Sequence, residues 1–293
     1  LDGIGVVWIV FVQDAIPVQE NATAHGPKYQ AFFAKFVVHP FPVTRALVIT
    51  PTYNEIENIE AIIEAVFAQP TPFHMLIVDD GSPDGTGEVV KKLQGKFNTS
   101  EQRLHLMERK GKLGLGTAYI DGFRYGLSQG YDYFLEMDAD FSHDPKDLGR
   151  LLAACEKEGA DLSIGSRYVT GVNVVNWPMG RVLMSFCASM YVRFITGMNI
   201  QDTTAGFVCY RREVLETLEL DKIHFVGYAF QIEMKFTVWK FGFKLVEVPI
   251  IFTDRTRGQS KMSTRIFREA FLGVIQMKVW SWFRNYARKS KTS

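Results

Sequence analysis

Four short apolar runs, at residues 46–50, 75–78, 133–137 and 162–164, each lead directly into a polar cluster, at 51–55, 79–84, 138–140 and 165–167. Short apolar runs bounded by turn-forming residues read as buried strands. A further run at 104–107 has the same character. Between the runs lie helical patterns near 57–68, 87–94 and 116–128, and Pro145 opens another that extends to Glu156. Strands alternating with helices of about ten residues mean βαβ units, hence an α/β fold with a mostly parallel sheet flanked by helices. In such sheets ligands bind beyond the carboxyl ends of the strands. The four polar clusters therefore converge on one edge, which is the expected site.

After Arg167 the pattern changes. A helix is expected over 181–196, a strand over 206–210, a helix after Arg212, a strand over 245–252 and a basic amphipathic helix over 263–282. Residues 1–44 lack periodicity and are punctuated by Pro17, Gly26, Pro27, Pro40 and Pro42, so they read as an extension outside a catalytic domain at 45–262, with a basic helix and tail at 263–293. A chain of 293 residues buries a large core without metal or disulfide. The scattered Cys155, Cys187 and Cys209 and six dispersed His residues show no zinc-ligand spacing and suit reduced thiols in the cytoplasm. No stretch approaches the roughly 18 apolar residues of a spanning helix. The net charge of +1 conceals a bias: from Arg255 onward many Lys and Arg residues are opposed only by Glu269, with Phe267, Phe271, Trp280, Trp282 and Phe283 interleaved. Such a tail suits an anionic membrane surface or a phosphorylated ligand rather than nucleic acid.

Asp138 and Asp140 are two apart at a strand end, so both carboxylates can face one cation, and hard oxygen ligands suit Mg²⁺ or Mn²⁺. Asp79 and Asp80 can accept hydrogen bonds from a base or ribose. Lys112, in a Gly-rich segment at 110–116, can approach phosphates. Arg167 can grip a phosphate bidentately, and Arg255 and Lys261 sit on a cationic Gly-containing loop that suits a lid closing on an anion. Arg181, Ser185, Ser189 and Arg193 recur every four residues along one face of a helix otherwise rich in Leu, Met, Phe and Tyr. By pattern alone that helix is either core or laid into a lipid interface.

The order and spacing of these motifs resemble the family-2 inverting glycosyltransferases, and among them the polyprenol-phosphate (dolichol-phosphate) mannose synthases. The matching stretches are PTYNE from Pro51, DDGSPDGT from Asp79, GKLGLGTAY from Gly111, DADFSHDP from Asp138, GSRY from Gly165, DTTAGF from Asp202, and Ser260-Lys261. The resemblance implies a GT-A (Rossmann-like) fold with amphipathic interface helices. It also implies transfer of mannose, with inversion, from GDP-mannose to a polyprenyl phosphate. Carried over by position, Pro51, Tyr53, Glu55, Val78 and Asp80 line the nucleoside pocket, and Asp138 and Asp140 hold the metal with the Ala139 backbone beside the donor. Arg167, Arg255 and Lys261 meet donor phosphates, while Arg167, Arg181, Ser185 and Arg257 meet the acceptor phosphate; Asp138, Asp140, Arg167 and Lys261 form the expected catalytic set.

Two departures from the family stand out. Some relatives carry a metal-coordinating Gln where Ser142 stands, and others carry C-terminal spanning helices. Without the latter, the chain is expected to sit peripherally on the cytoplasmic face of a membrane, through its amphipathic helices or a small anchoring subunit. The alternatives are glucose or N-acetylhexosamine transfer from a UDP-sugar, and a non-catalytic nucleotide-sugar-binding scaffold.

Overall fold

The computed structural model describes residues 44–227, 229–254 and 264–288, with side chains from 271 onward in the last stretch. The expected extension and the loop bearing Arg255, Arg257 and Lys261 lie outside the described residues. In chain order the strands are β1 (Ala46–Thr52), β2 (His74–Asp79), β3 (Leu104–Glu108), β4 (Tyr133–Glu136), β5 (Leu162–Ser166), β6 (Val174–Val175), β7 (Val208–Arg211), β8 (Leu245–Pro249) and β9 (Phe252–Thr253). The helices are α1 (Ile59–Phe67), α2 (Thr86–Phe97), α3 (Leu115–Ser128), α4 (Leu148–Glu156), α5 (Met179–Thr196), α6 (Arg212–Thr217), α7 (Ala229–Lys240) and α8 (Thr264–Trp280).

Seven strands form one sheet in the order β3-β2-β1-β4-β7-β5-β8, and β6 pairs with β9 in a separate parallel ribbon. The first four positions are parallel, as is β5 with β8. Only β7 runs against its neighbours, β4 and β5. Because β7 is reversed, the loop preceding it, not the loop following it, reaches the edge where the other strands end.

Alternation within β1 builds both halves of the core. Leu47 and Ile49 pack with Leu76, Val78, α3 and α7 on one face, while Ala46 and Val48 pack with Met75, Ile77, α1 and α4 on the other. The strand expected over 245–252 is two strands in two sheets, since the chain leaves the main sheet after Pro249 and joins β6 at Phe252. The α7 helix has no signature in the sequence. Every residue from Ala229 to Val238 is buried, including Gln231, Glu233 and Lys235, so the segment has no polar face to produce a helical period.

The α5 helix resolves the choice between core and interface. Its buried residues are Ser189, Val192 and Thr196, whereas Met179, Leu183, Met190 and Phe194 point outward, Phe194 being 86% exposed. Phe271, Leu272, Trp282 and Phe283, on and just after α8, are also exposed, and the Tyr191 and Phe271 rings stack at 4.5 Å to join the two helices. No helix among the described residues is long and apolar enough to cross a membrane.

At the opposite end of the sheet, the Tyr131 hydroxyl lies 2.8 Å from His74 Nδ1 and 3.0 Å from His105 Nε2. A hydroxyl has one hydrogen, so it donates to one ring and accepts from the other, which requires the ring that accepts to be a neutral imidazole. Burial, then the neighbouring His74 and Arg45, pushes the His105 pKa from 6.5 down to about 4. Between those values the unfolded chain takes up a proton that the folded chain resists, so stability falls as pH drops through that window. Thermal unfolding midpoints of wild type should therefore decline from pH 6.5 to 4, with a shallower decline in His105→Gln; parallel curves would refute this.

Candidate active site

The chain leaves β4 through Asp138-Ala139-Asp140-Phe141-Ser142-His143. Phe141 takes a left-handed conformation, φ 60°, unusual for a bulky residue and characteristic of functional loops. The Asp138 N–H donates to His143 Nδ1 at 3.2 Å, and the Ser142 N–H donates to Asp140 Oδ1 at 3.1 Å. The His143 ring is buried and stacks on Phe207 at 4.7 Å and 9°. Burial pushes its pKa down to about 4, so it is neutral; since Nδ1 accepts, the proton is on Nε2. His143 thus fixes the backbone carrying the acidic pair. The donor set fits a hard divalent cation, because two carboxylates stand beside the buried Ser142 hydroxyl, which has no hydrogen-bond partner among the described residues. No group of three or more His, Cys, Asp or Glu residues that could hold a metal ion occurs among the described residues.

Arg167 follows β5 and is buried. Its Nε and Nη2 donate to the two Asp202 oxygens at 2.7 and 2.6 Å, its N–H donates to Asp202 Oδ2 at 3.0 Å, and Nη2 also reaches Thr204 Oγ1 at 2.8 Å. Burial alone would raise the Asp202 pKa, but the Arg167 charge and hydrogen bonds outweigh it and hold the carboxyl below its ordinary range. Glu247 on β8 secures the loop in turn, accepting from Gln201 N, Asp202 N and Ser166 Oγ at 2.7, 2.9 and 2.7 Å. The pair is placed by the reversal of β7, whose preceding loop enters the site edge. Asp202 was visible in sequence only as part of a motif without a role.

At the ends of β1 and β2, the Lys112 ammonium lies 5.1 Å from the Tyr53 ring centroid. Glu55 lies in the turn that leads into α1, and its carboxylate accepts from Asn58 Nδ2 at 3.1 Å. Pro51 pairs in register with Val78, which is fully buried within the sheet. Asp80 is gripped by Arg109, whose Nε lies 2.6 Å from Oδ1 and whose Nη1 reaches Thr117 Oγ1 and Asp121 at 2.9 and 3.1 Å. Burial raises the Asp80 pKa, opposed first by the Arg109 hydrogen bond and charge. Asp79, expected beside it at the base or ribose, is hydrogen-bonded within the protein. Its oxygens accept from Thr52 Oγ1, Ser82 N and Ser82 Oγ, so it ties the loop to the sheet. Arg109 was not singled out in sequence, although it directly precedes the Gly-rich segment.

The acidic loop after β4 and Arg167 border a cavity of about 670 Å³, whereas Pro51, Tyr53, Glu55, Val78, Asp80 and Lys112 do not line it. Asp138, Asp140 and Arg167 line it, with Arg181, Ser185 and Met184 from α5, Gln231 from α7 and Phe271 from α8. Arg181 Nη1 donates to Asp254 at 2.8 Å. Gln231 Nε2 donates to Glu136 at 2.7 Å, while Lys235 Nζ donates to the Ala205 and Gln231 carbonyls at 2.5 and 3.0 Å. The fully buried Lys235 therefore anchors the loop that supplies Asp202, and burial lowers its pKa to about 8. Of the expected residues, Asp138, Asp140, Arg167, Arg181 and Ser185 meet in this cavity, whereas Arg255, Arg257 and Lys261 lie outside the described residues.

Residues 47–219 match the glycosyl transferase family 2 profile. The chain is 49% identical over 235 residues to the polyprenol monophosphomannose synthase of Mycolicibacterium smegmatis, covering 80% of this chain and 87% of that protein. It is 45% identical over 232 residues to the undecaprenyl-phosphate mannosyltransferase of Micrococcus luteus, covering 79% and 93% respectively. Among solved structures, the fold is similar to glucosyl-3-phosphoglycerate synthase from Mycobacterium tuberculosis in complex with Mn²⁺ and UDP (TM-score 0.57, 17% identity, 81% of this chain and 79% of that one). It is likewise similar to a mannosyltransferase from Pyrobaculum calidifontis in complex with GDP-Man and Mn²⁺ (TM-score 0.54, 18% identity, 84% and 66%). The GT-A sheet, the acidic pair at the end of β4 and the extent of these matches lead to one conclusion: the chain belongs to glycosyltransferase family 2 and is a sugar-transferring enzyme.

Proposed function

We propose that this enzyme transfers mannose, with inversion, from GDP-mannose to a polyprenyl phosphate at a membrane surface. The observation that carries the reading is the cavity itself. Metal-suited carboxylates and Arg167 share it with the inner sides of α5 and α8, helices whose outer sides are apolar and exposed. A polar reaction centre walled by such helices suits an acceptor with an anionic head and a lipid tail.

In the mechanism, Arg181 and Arg167 hold the acceptor phosphate with one oxygen directed at the anomeric carbon. That oxygen forms the new bond as the bond to the GDP β-phosphate oxygen breaks on the opposite face. A phosphate monoester is largely ionised at neutral pH, so the attacking oxygen needs no strong general base, in keeping with the neutral, buried His143. Asp138 and Asp140 would hold Mg²⁺ or Mn²⁺, which when bound supplies positive charge to the departing diphosphate. Asp80, aimed by Arg109, accepts from the base, and Tyr53 with Lys112 flanks the nucleoside.

Incubation with a polyprenyl phosphate, Mg²⁺ and labelled nucleotide sugars tests the reading. Label from GDP-mannose should enter the organic phase and a chelator should stop it; label from UDP-glucose or a UDP-N-acetylhexosamine instead would replace mannose with that sugar. For membrane docking, Leu183→Glu with Phe194→Glu should lower co-sedimentation with anionic vesicles by about tenfold or more, since each change removes exposed apolar area and adds repulsion. Unchanged sedimentation would remove α5 from the membrane contact.

A further inference from the structure

One side chain in the cavity wall has no counterpart in the sequence reading. Trp177 lies between β6 and α5, directly after Asn176, whose left-handed backbone (φ 63°) turns the chain there. Its ring centroid is 4.1 Å from the Arg181 guanidinium carbon and 5.6 Å from that of Arg167. Phe252 packs edge-on against it at 5.2 Å and 70°, and is itself fixed by the pairing of β9 with β6. The indole is therefore held by a cation and an aromatic ring.

Its N–H is not satisfied. Nε1 is buried and has no hydrogen-bond partner among the described residues, although Trp177 lines the cavity. A buried donor left unpaired costs about 1–3 kcal/mol, so buried indoles normally have an acceptor. The two guanidiniums that lie over its ring, Arg167 and Arg181, are donor-only groups and cannot fill that role. The acceptor that suits a neutral donor beside two guanidiniums is an anionic oxygen. A sugar hydroxyl could accept from the indole but would gain little from the two flanking guanidiniums, which favour a negatively charged oxygen beside them even while paired with Asp202 and Asp254.

We propose that Trp177 is a substrate-contacting residue whose Nε1–H donates to an oxygen of the acceptor phosphate held by Arg167 and Arg181. The inference rests on the acceptor reading given above. The indole adds direction rather than charge. By engaging one oxygen from a rigid position it orients the phosphate, leaving another oxygen to face the anomeric carbon. Asp254, which accepts from Arg181 Nη1, constrains the same guanidinium.

Trp177→Phe keeps a ring against Arg181 and Phe252 and removes only the donor. At saturating GDP-mannose it should raise the acceptor KM about tenfold, as expected for one hydrogen bond to a charged group. The affinity for GDP with Mg²⁺, read by calorimetry, should stay within about twofold. Trp177→His, which restores a ring N–H, should recover part of the loss. An unchanged acceptor KM in Trp177→Phe, or an equal loss of GDP affinity, would overturn the proposal. Arg181→Gln separates it from the reading beneath it: if that variant leaves the acceptor KM unchanged, the acceptor site itself is misplaced. If only Arg181→Gln responds, the indole contact alone is wrong. A measurement on the wild type does not depend on folding of the variants. With ¹⁵N-labelled tryptophan, one indole N–H resonance should move downfield on adding a short polyprenyl phosphate and not the matching alcohol; no such shift would equally refute the contact.

Discussion

Asp138→Ala should lower the rate of sugar transfer by about 10³-fold or more while shifting the unfolding midpoint by no more than a few degrees. The two effects separate because of how the loop is built. One contact that positions residue 138 in the loop is its backbone N–H on His143 Nδ1, which alanine retains. The carboxylate faces the cavity, so its loss removes charge from the reaction centre and leaves the sheet packing intact. The rate is measured at saturating donor and acceptor with Mn²⁺ present, and Mn²⁺ binding in the presence of GDP is followed by electron paramagnetic resonance. The variant should lose the nucleotide-dependent Mn²⁺ signal together with activity. Wild-type transfer that persists after exhaustive chelation would sink the role given to the acidic pair.

Asp202→Ala is the opposite case, with stability and activity falling together. Asp202 is fully buried and accepts three hydrogen bonds from Arg167. Deleting it strands a buried guanidinium, and breaking a buried ion pair by removing one partner costs about 3–5 kcal/mol. For a domain of this size the unfolding midpoint should drop by about 10 °C. Arg167 would also lose its aim into the cavity, so KM should rise for acceptor or donor even where the protein remains folded. Asp202→Asn, which keeps an acceptor oxygen without the charge, should fall between alanine and wild type in both calorimetry and kinetics. A wild-type melting curve for Asp202→Ala would show that the pair contributes little and that Arg167 is placed by other contacts.

The parts of this architecture that could be read from sequence are those where local pattern and tertiary role coincide. β1, β2 and β4 are apolar on both faces because helices cover both, and their polar ends mark the site edge without reference to any distant residue. Asp138 and Asp140 were legible for that reason. α7 was not, because burial on all sides allows Gln231, Glu233 and Lys235 to interrupt any period while each finds its partner inside the protein. Asp79 and Asp80 look alike in sequence; only Thr52 and Arg109, each on another segment, show that one ties the loop to the sheet while the other is gripped by a guanidinium. Trp177 carried no local signal, since its surroundings come from α5, β5 and β9.

The reversed strand β7 has a practical consequence for redesign. At β1, β2, β4 and β5, the segment that shapes the site follows the strand, so a graft aimed at changing substrate range should replace residues downstream of the strand end. At β7 the rule inverts, and the exchangeable segment is the one upstream, from Gln201 to Phe207, whose far end is stapled to β8 by Glu247. A chimera with its junctions placed after β7 would exchange surface that the substrate does not meet. A chimera that takes the upstream segment must carry Glu247 with it, making β8 part of the smallest transferable unit.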